Sequence, residues 1–168
     1  MNFDPATATE ISAAVRAGKV SARHVTEALL IRIEATHQDL NAFTLVTAAR
    51  ARAEADAVDA QVATGQDPGP LAGAPYAVKN LFDLAGEITV AGSKINRDDS
   101  PTSSDATAVA RLRQAGAICL GALNMGEYAY DFVTENAHDG ATHNPHDLRH
   151  SAGGSSGGSG AAVAGGLT

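Results

Sequence analysis

The segment at residues 151–160 constrains the chain most, because its sequence, SAGGSSGGSG, is almost entirely glycine and serine. This composition fits a flexible linker, a loop that cradles phosphate, or a loop that presents a catalytic serine. A phosphate loop is disfavoured, since the segment has no Gly-Lys-Ser/Thr ending and lacks the third glycine of a dinucleotide fingerprint. A linker would stay polar, whereas residues 161–167 are small and apolar, which is typical of a closely packed helix.

Residues 1–66 are predicted to form an N-terminal helical region, with helix from about residue 5 onward. Apolar residues recur at helical spacing near its start, and Gly18 marks the end of the first helix. Ser21 is predicted to cap a second helix, whose apolar face consists of Val25, Leu29, Leu30 and Ile33. A third helix, rich in alanine and charge, is predicted to end at Gly65.

A break rich in glycine and proline at residues 65–75 leads into a region of different character. Residues 76–79, YAVK, are predicted to be a buried strand, and Asp105 is predicted to cap a helix that precedes a second strand at 117–123. The order strand, helix, strand indicates an α/β sheet layer. The polar, irregular stretch at 124–150 is expected to surround a site.

Charge and cysteine content exclude several classes of function. The formal net charge is -7, whereas nucleic acid and anionic membranes require a basic face, so neither is predicted as a direct partner. Cys119 is the single cysteine and lies in an apolar run, so it is interpreted as a small buried hydrophobic residue. The first ten residues lack the pattern of a signal peptide, and no apolar run is long enough to cross a membrane, which favours a cytoplasmic setting.

Short blocks of sequence follow one another in a specific order between residues 70 and 168. They are GAPYAVKN at 73–80, a helix-strand-loop block from Gly116-Ala117 to NMGE at 124–127, TEN at 134–136, NP at 144–145, and GGSSGGSGAAVA at 153–164. In this order they resemble the N-terminal part of the amidase-signature family of serine hydrolases. Each block alone is weak evidence, but the ordered set is specific.

The resemblance implies an α/β fold with a mixed β-sheet flanked by helices, of which residues 67–168 would be the first part. It also implies hydrolysis of an amide by a Ser-Ser-Lys triad, without a metal or other cofactor. Lys79 would be the base and Ser155 the bridging serine, whose peptide bond is cis in relatives. The residues expected in the surrounding substrate loop are Gly153, Gly154, Ser156, Gly157, Tyr130 and Thr134.

Elementary chemistry supports these two roles. A serine hydroxyl becomes a good nucleophile only when a neighbouring base takes its proton, and a lysine amine can do so only when it is neutral. Burial at the end of an apolar strand lowers the pKa of a lysine, and Lys79 follows Ala77 and Val78. A second serine can both donate and accept a hydrogen bond, so it can relay the proton. Taken alone, without the other sequence blocks, Lys79 is better interpreted as an exposed lysine at a strand end.

The family's nucleophilic serine and its oxyanion-hole amides lie beyond the point at which this sequence ends, Thr168. Ser156 and Ser159 do not replace that nucleophile in the family pattern. We therefore expect the chain to be an N-terminal fragment that does not turn over by itself.

Within the family, the strings VKNLFD at 78–83, TENAH at 134–138 and NPHD at 144–147 most resemble the 1-carboxybiuret hydrolase branch. The A subunits of glutamyl-tRNA(Gln) amidotransferases are the next most similar branch. The resemblance implies a small amide or urea-like substrate and a small helical partner subunit, and a homo-oligomer is a further prediction. Asn80 stands where many relatives have Asp, and Gly126 and Asp131 also depart from the carboxybiuret hydrolase pattern.

Two alternatives to an enzyme stay open. One is an inactive fragment or interaction module, and the other is an unrelated α/β domain with a Gly/Ser tail. The polar loop contains four histidines, His138, His143, His146 and His150. His146 and His150 have a spacing that suits zinc on a helix, but Pro145 argues against a helix there, so no metal site is predicted. Tyr128 and Tyr130 either line the substrate pocket or pack against the fold.

Overall fold

The computed structural model describes residues 6–168, so residue 5, where the helical region was predicted to begin, lies outside them. Helix α1 spans Ala8–Arg16 and begins with a capping box. The Thr7 hydroxyl accepts from the Glu10 amide at 3.2 Å, while the Glu10 carboxylate accepts from the Thr7 amide at 2.7 Å. Gly18, at a φ of 66°, turns the chain away from the helix, as predicted.

Helices α2, Ala22–Leu40, and α3, Ala48–Ala63, pack against each other. Ser21 Oγ accepts the His24 amide at 3.0 Å, which confirms Ser21 as the N-cap of α2. The predicted apolar face is buried, with Val25, Leu29, Leu30 and Ile33 each at most 9% exposed. Val25, Leu29 and Ile33 of this face form part of the main core of the described residues.

A strand interrupts the region that was predicted to be wholly helical, and this part of the prediction is wrong. Asn41, in the left-handed conformation, ends α2, and strand β1, Phe43–Val46, follows. Its aromatic and β-branched residues suit a strand, and β1 pairs antiparallel with a strand far along the chain. The pairing of β1 with β3 joins residues 1–66 to residues 67–168 in one sheet. The division of the chain at residue 66 stays a prediction.

The main sheet has the strand order β1-β3-β2, with β2 at Pro75–Lys79 and β3 at Ile118–Leu123. Strands β2 and β3 are parallel and are joined through helix α4, Thr107–Gln114, which confirms the predicted α/β layer. Every residue of β3 is buried, as its central place and apolar sequence require. Cys119 lies in this strand and is fully buried, which confirms its interpretation.

Asp105 does not cap α4, so that prediction is also wrong. The N-cap residue of α4 is Ala106, and it makes no side-chain capping bond. The Asp105 carboxylate instead accepts from Arg50 Nη1 and Nη2 at 2.7 and 2.9 Å and from the Ala85 amide at 2.9 Å. A bidentate salt bridge is stronger than a single N-capping hydrogen bond, so the Asp105 side chain turns toward Arg50 on α3.

The polar stretch after β3 contains a short 3-10 helix, Glu127–Ala129, and two pairs of short antiparallel strands. They are β4, Glu135–Asn136, which pairs with β5, Gly140–Ala141, and β6, His143–Asn144, which pairs with β7, Asp147–Ser151. Asn136 fixes this layer by donating to the carbonyls of Gly92 and Met125 at 2.7 and 3.0 Å. Buried amides such as this one satisfy backbone groups that no strand partner reaches.

Helix α5, Gly157–Ala164, follows the Gly/Ser segment and packs on the sheet. Gly157, Gly158, Ala161 and Ala162 are buried, so the interpretation of residues 151–160 as a flexible linker is wrong. Their small size allows the helix to approach backbone directly, since a Cβ on Gly158 would lie 2.5 Å from both the amide nitrogen and the carbonyl oxygen of Asn124. Among residues 6–168, none of the helices has the length and apolar content that a membrane crossing needs.

Candidate active site

Lys79 and Ser155 meet at the edge of the sheet. Lys79 is the last residue of β2, and Ser155 lies in the loop that leads into α5. Because α5 packs on β2, the two side chains come together, and Lys79 Nζ lies 2.7 Å from Ser155 Oγ. Both residues are half-buried, so the pair is shielded and still reachable from solvent.

The surroundings of Lys79 act on its charge in opposite directions. Burial lowers the pKa of the Lys79 amine, and the negative charge of Asp131 raises it. Burial is the larger effect, so the neutral amine is more accessible than in an ordinary exposed lysine. At 2.7 Å, an ammonium can donate to Ser155 Oγ and a neutral amine can accept from the Ser155 hydroxyl. The pair can therefore pass a proton in either direction.

The backbone just before Ser155 packs closely against the loop of residues 131–134. The Gly154–Ser155 peptide bond is cis, in agreement with the resemblance, and Gly153 has a φ of 80°. A Cβ on Gly154 would lie 2.5 Å from the amide nitrogen of Val133, so only glycine fits there. The Ser155 carbonyl accepts from the Gly126 amide at 3.1 Å. The loop that holds Ser155 is thus fixed by the close packing of Gly154 and by the hydrogen bond to the Ser155 carbonyl.

The structure places most of the predicted substrate-loop residues around this pair. Gly153, Gly154 and Ser156 adjoin Ser155, and Ser156 is exposed. The Gly157 amide donates to Thr134 Oγ1 at 2.9 Å, although Thr134 is itself fully buried. Contact of these residues with a substrate stays a prediction.

The two tyrosines lie on the exposed loop after β3. Tyr130 is 95% exposed, and Tyr128 is 53% exposed with its hydroxyl donating to Asn96 Oδ1 at 2.9 Å. Neither ring belongs to the core of the described residues. Their part in a substrate pocket therefore stays a prediction as well.

Asp131 is the site residue to which the sequence analysis gave no role. Its carboxylate lies beside Gly126 and Gly154 and acts on the charge of Lys79. No spacing rule connects residue 131 with residue 79, so the sequence alone could not place them together. The sequence feature that pointed to Asp131 was that Gly126 and Asp131 both depart from the family pattern.

Two of the four histidines of the polar loop have carboxylate partners. His138 Nε2 lies 3.4 Å from Glu127 Oε1, and His150 Nδ1 lies 3.1 Å from Asp147 Oδ2. Within residues 6–168, histidines, cysteines and acidic residues form no group of three or more that could hold a metal ion.

Comparison with known proteins gives the family. A family model described as Amidase matches residues 24–168. The chain is 58% identical over 157 residues to AtzE, a 1-carboxybiuret hydrolase subunit of Pseudomonas sp. (strain ADP), covering 94% of this chain and 34% of AtzE. It is 47% identical to the A subunit of the glutamyl-tRNA(Gln) amidotransferase of Chromohalobacter salexigens, covering 96% of this chain and 33% of that protein.

Solved structures agree with this. A structure described as a vestigial protein complex that reveals the evolutionary origins of an s-triazine catabolic enzyme superposes with a TM-score of 0.96 at 56% identity, over 97% of this chain and 36% of that one. The chain spans about a third of the length of the curated relatives that it matches. The mixed sheet flanked by helices is the N-terminal part of their fold, as predicted. The chain belongs to the amidase-signature family.

Proposed function

We propose that this chain provides the base and the bridging serine of a serine amidase. The enzyme would hydrolyse a C–N bond of a small amide or urea-like substrate. One observation carries the proposal, namely the 2.7 Å contact between Lys79 Nζ and Ser155 Oγ in a half-buried loop. By the resemblance, the nucleophilic serine is expected in residues that follow Thr168, so inactivity of the 168-residue chain by itself stays a prediction.

Proton transfer through Ser155 would connect Lys79 with the nucleophile. The neutral Lys79 amine takes the Ser155 proton while Ser155 Oγ takes the proton of the nucleophilic serine. The nucleophile attacks the carbonyl carbon, and the C=O electron pair moves onto oxygen. When the proton returns along the same path to the leaving nitrogen, the C–N bond breaks and an acyl-enzyme is left. Water then attacks in the same way, releasing the acid and restoring the serine.

The likeness to AtzE makes 1-carboxybiuret the first substrate to test. The 58% identity covers nearly the whole of this chain and is higher than the 47% identity to the amidotransferase protein. An amidotransferase A-type subunit is the second candidate, because that likeness also covers 96% of the chain. A relative described as part of a vestigial protein complex supports a partner subunit, for which a small helical protein is our proposal.

The assay is ammonia release from 1-carboxybiuret and from glutamine, with protein expressed from its complete reading frame. Lys79→Met serves as the blank, since it keeps the length of the side chain and removes the amine. Hydrolysis of 1-carboxybiuret that disappears in the variant supports the proposal, and Lys79-dependent release from glutamine favours the amidotransferase. Amide hydrolysis that persists in Lys79→Met overturns the proposed mechanism.

A further inference from the structure

The Asp131 carboxylate is held in place by one oxygen and fills the space beside Gly126 with the other. Oδ1 accepts from the amides of Val133 and Thr134 at 3.2 and 3.1 Å, which fixes the loop as an Asx-type turn. Oδ2 occupies the space beside the Cα of Gly126, where a Cβ would clash with it. Any side chain at residue 126 would therefore displace this carboxylate.

The same carboxylate lies against the loop of the bridging serine. A Cβ on Gly154, the residue before Ser155, would lie 2.5 Å from Asp131 Oδ1. Gly126 also donates from its amide to the Ser155 carbonyl at 3.1 Å. Asp131 thus lies between two glycines, and each of them is joined to Ser155 by a peptide bond or a hydrogen bond.

Asp131 is also the charge that acts on Lys79. Lys79 belongs to β2, which packs mainly against β3 and α5 and also contacts α4 at Val109. β3 and α5 contain no charged residue, and Cys119 is their titratable group. The basic residues of α4, Arg111 and Arg113, are not among the causes of the pKa shift of Lys79, which are burial and Asp131. The loop with Asp131 therefore supplies the negative charge at this end of the sheet.

We propose that Asp131 is a positioning residue of the Lys79–Ser155 site and that the missing side chain at Gly126 admits its carboxylate. Asp131 fixes the loop against the Ser155 backbone and holds a negative charge close to the lysine. The residues at 126 and 131 are therefore coupled, because a side chain at residue 126 would displace the Asp131 carboxylate. The inference rests on the proposed function for its consequence in hydrolysis, but its geometry can be tested without a substrate.

The test is an NMR titration of the Lys79 side chain in protein labelled with ¹³Cε-lysine. Lys79→Arg assigns the Lys79 signal by its disappearance from the spectrum of the complete protein, and Lys19 and Lys94, assigned in the same way, are internal references. Asp131→Asn keeps an oxygen for the two backbone amides and removes the charge. The expected result is a shift of the Lys79 midpoint to lower pH, with Lys19 and Lys94 unchanged. An unchanged Lys79 midpoint in a folded Asp131→Asn protein would overturn the proposal.

A double-mutant cycle tests the pairing with Gly126. Gly126→Ala should shift the Lys79 midpoint in the same direction, because its Cβ expels the carboxylate. In an Asp131→Gly background the same substitution should cause no further shift and a smaller loss of Tm. Additive effects would contradict the pairing. If Lys79→Met leaves hydrolysis intact, the proposed function fails, and the titration outcome is independent of that result.

Discussion

The amine of Lys79 lies 2.7 Å from the hydroxyl of Ser155, although the two residues are 76 positions apart in the chain. The contact exists because β2 ends at Lys79 and α5, which packs on β2, begins just after Ser155. Small residues on α5 permit that close packing. The glycine-rich sequence therefore serves the site by letting a helix and a strand approach each other.

Activity should increase with pH through the titration of Lys79. Only the neutral amine can take the Ser155 proton, and burial lowers the pKa of Lys79 below that of an ordinary lysine. The rise in kcat/KM should therefore lie at lower pH than an exposed lysine would give, and Asp131→Asn should move it lower still. The measurement is kcat/KM against pH for both proteins. A profile that is flat where Lys79 titrates by NMR would contradict the base role.

Gly158→Ala should destabilise the fold strongly. Its Cβ would lie 2.5 Å from the nitrogen and oxygen of Asn124 and 2.6 Å from the Ala42 carbonyl oxygen, and backbone atoms cannot rotate away. We expect a loss of about 1–3 kcal/mol in the free energy of unfolding, as for other overpacked sites. Gly160→Ala is the matched control in the same helix, because its nearest neighbour would be 3.8 Å away.

Urea unfolding of the two alanine variants provides the measurement. Gly160→Ala should be neutral or stabilising by up to about 1 kcal/mol, since alanine favours helix over glycine. Equal stability of the two variants would mean that α5 does not pack against the Asn124 backbone as described.

Asp105→Ala should destabilise the protein although Asp105 is not a helix cap. The Asp105 side chain is 6% exposed and pairs with Arg50, which is 18% exposed, and Arg50 lowers the pKa of Asp105. Removing one partner of a fully buried pair costs about 3–5 kcal/mol, and the cost is smaller here because Arg50 keeps its pair with Glu54 at 2.8 Å. Thermal unfolding should show a much larger loss of Tm than for Asp98→Ala, because Asp98 is exposed in the short 3-10 helix Ile95–Asp98. Similar Tm values for the two variants would refute this account of Asp105.

Local sequence signals were sufficient to predict many of the helices and strands of this fold. Ser21 as a cap, Gly18 as a stop and the apolar run of β3 are each determined by neighbouring residues, and each was predicted correctly. Strand β1 was missed because four residues between helices carry little periodicity, and its pairing with β3 is a long-range contact.

Side-chain partners were harder to predict than elements. Asp105 has the sequence context of an N-cap, but Arg50, 55 positions earlier, binds both of its oxygens. A turn at Asp131 and the absence of a side chain at Gly126 together place the Asp131 carboxylate in the site. Neither periodicity nor motif spacing in the sequence predicts this placement. The residues proposed as base and bridge came from the family resemblance together with the chemistry of lysine and serine.

The most direct test of the account is the hydrolysis rate of Lys79→Met and Ser155→Ala in the complete protein. Lys19→Met and Ser159→Ala are matched controls, one on the exposed turn after α1 and one within α5. The account predicts that each site variant loses roughly 10³-fold or more in kcat, that the double variant loses little beyond either, and that both controls retain activity. Retention of activity in folded Lys79→Met or Ser155→Ala would contradict the proposed proton relay.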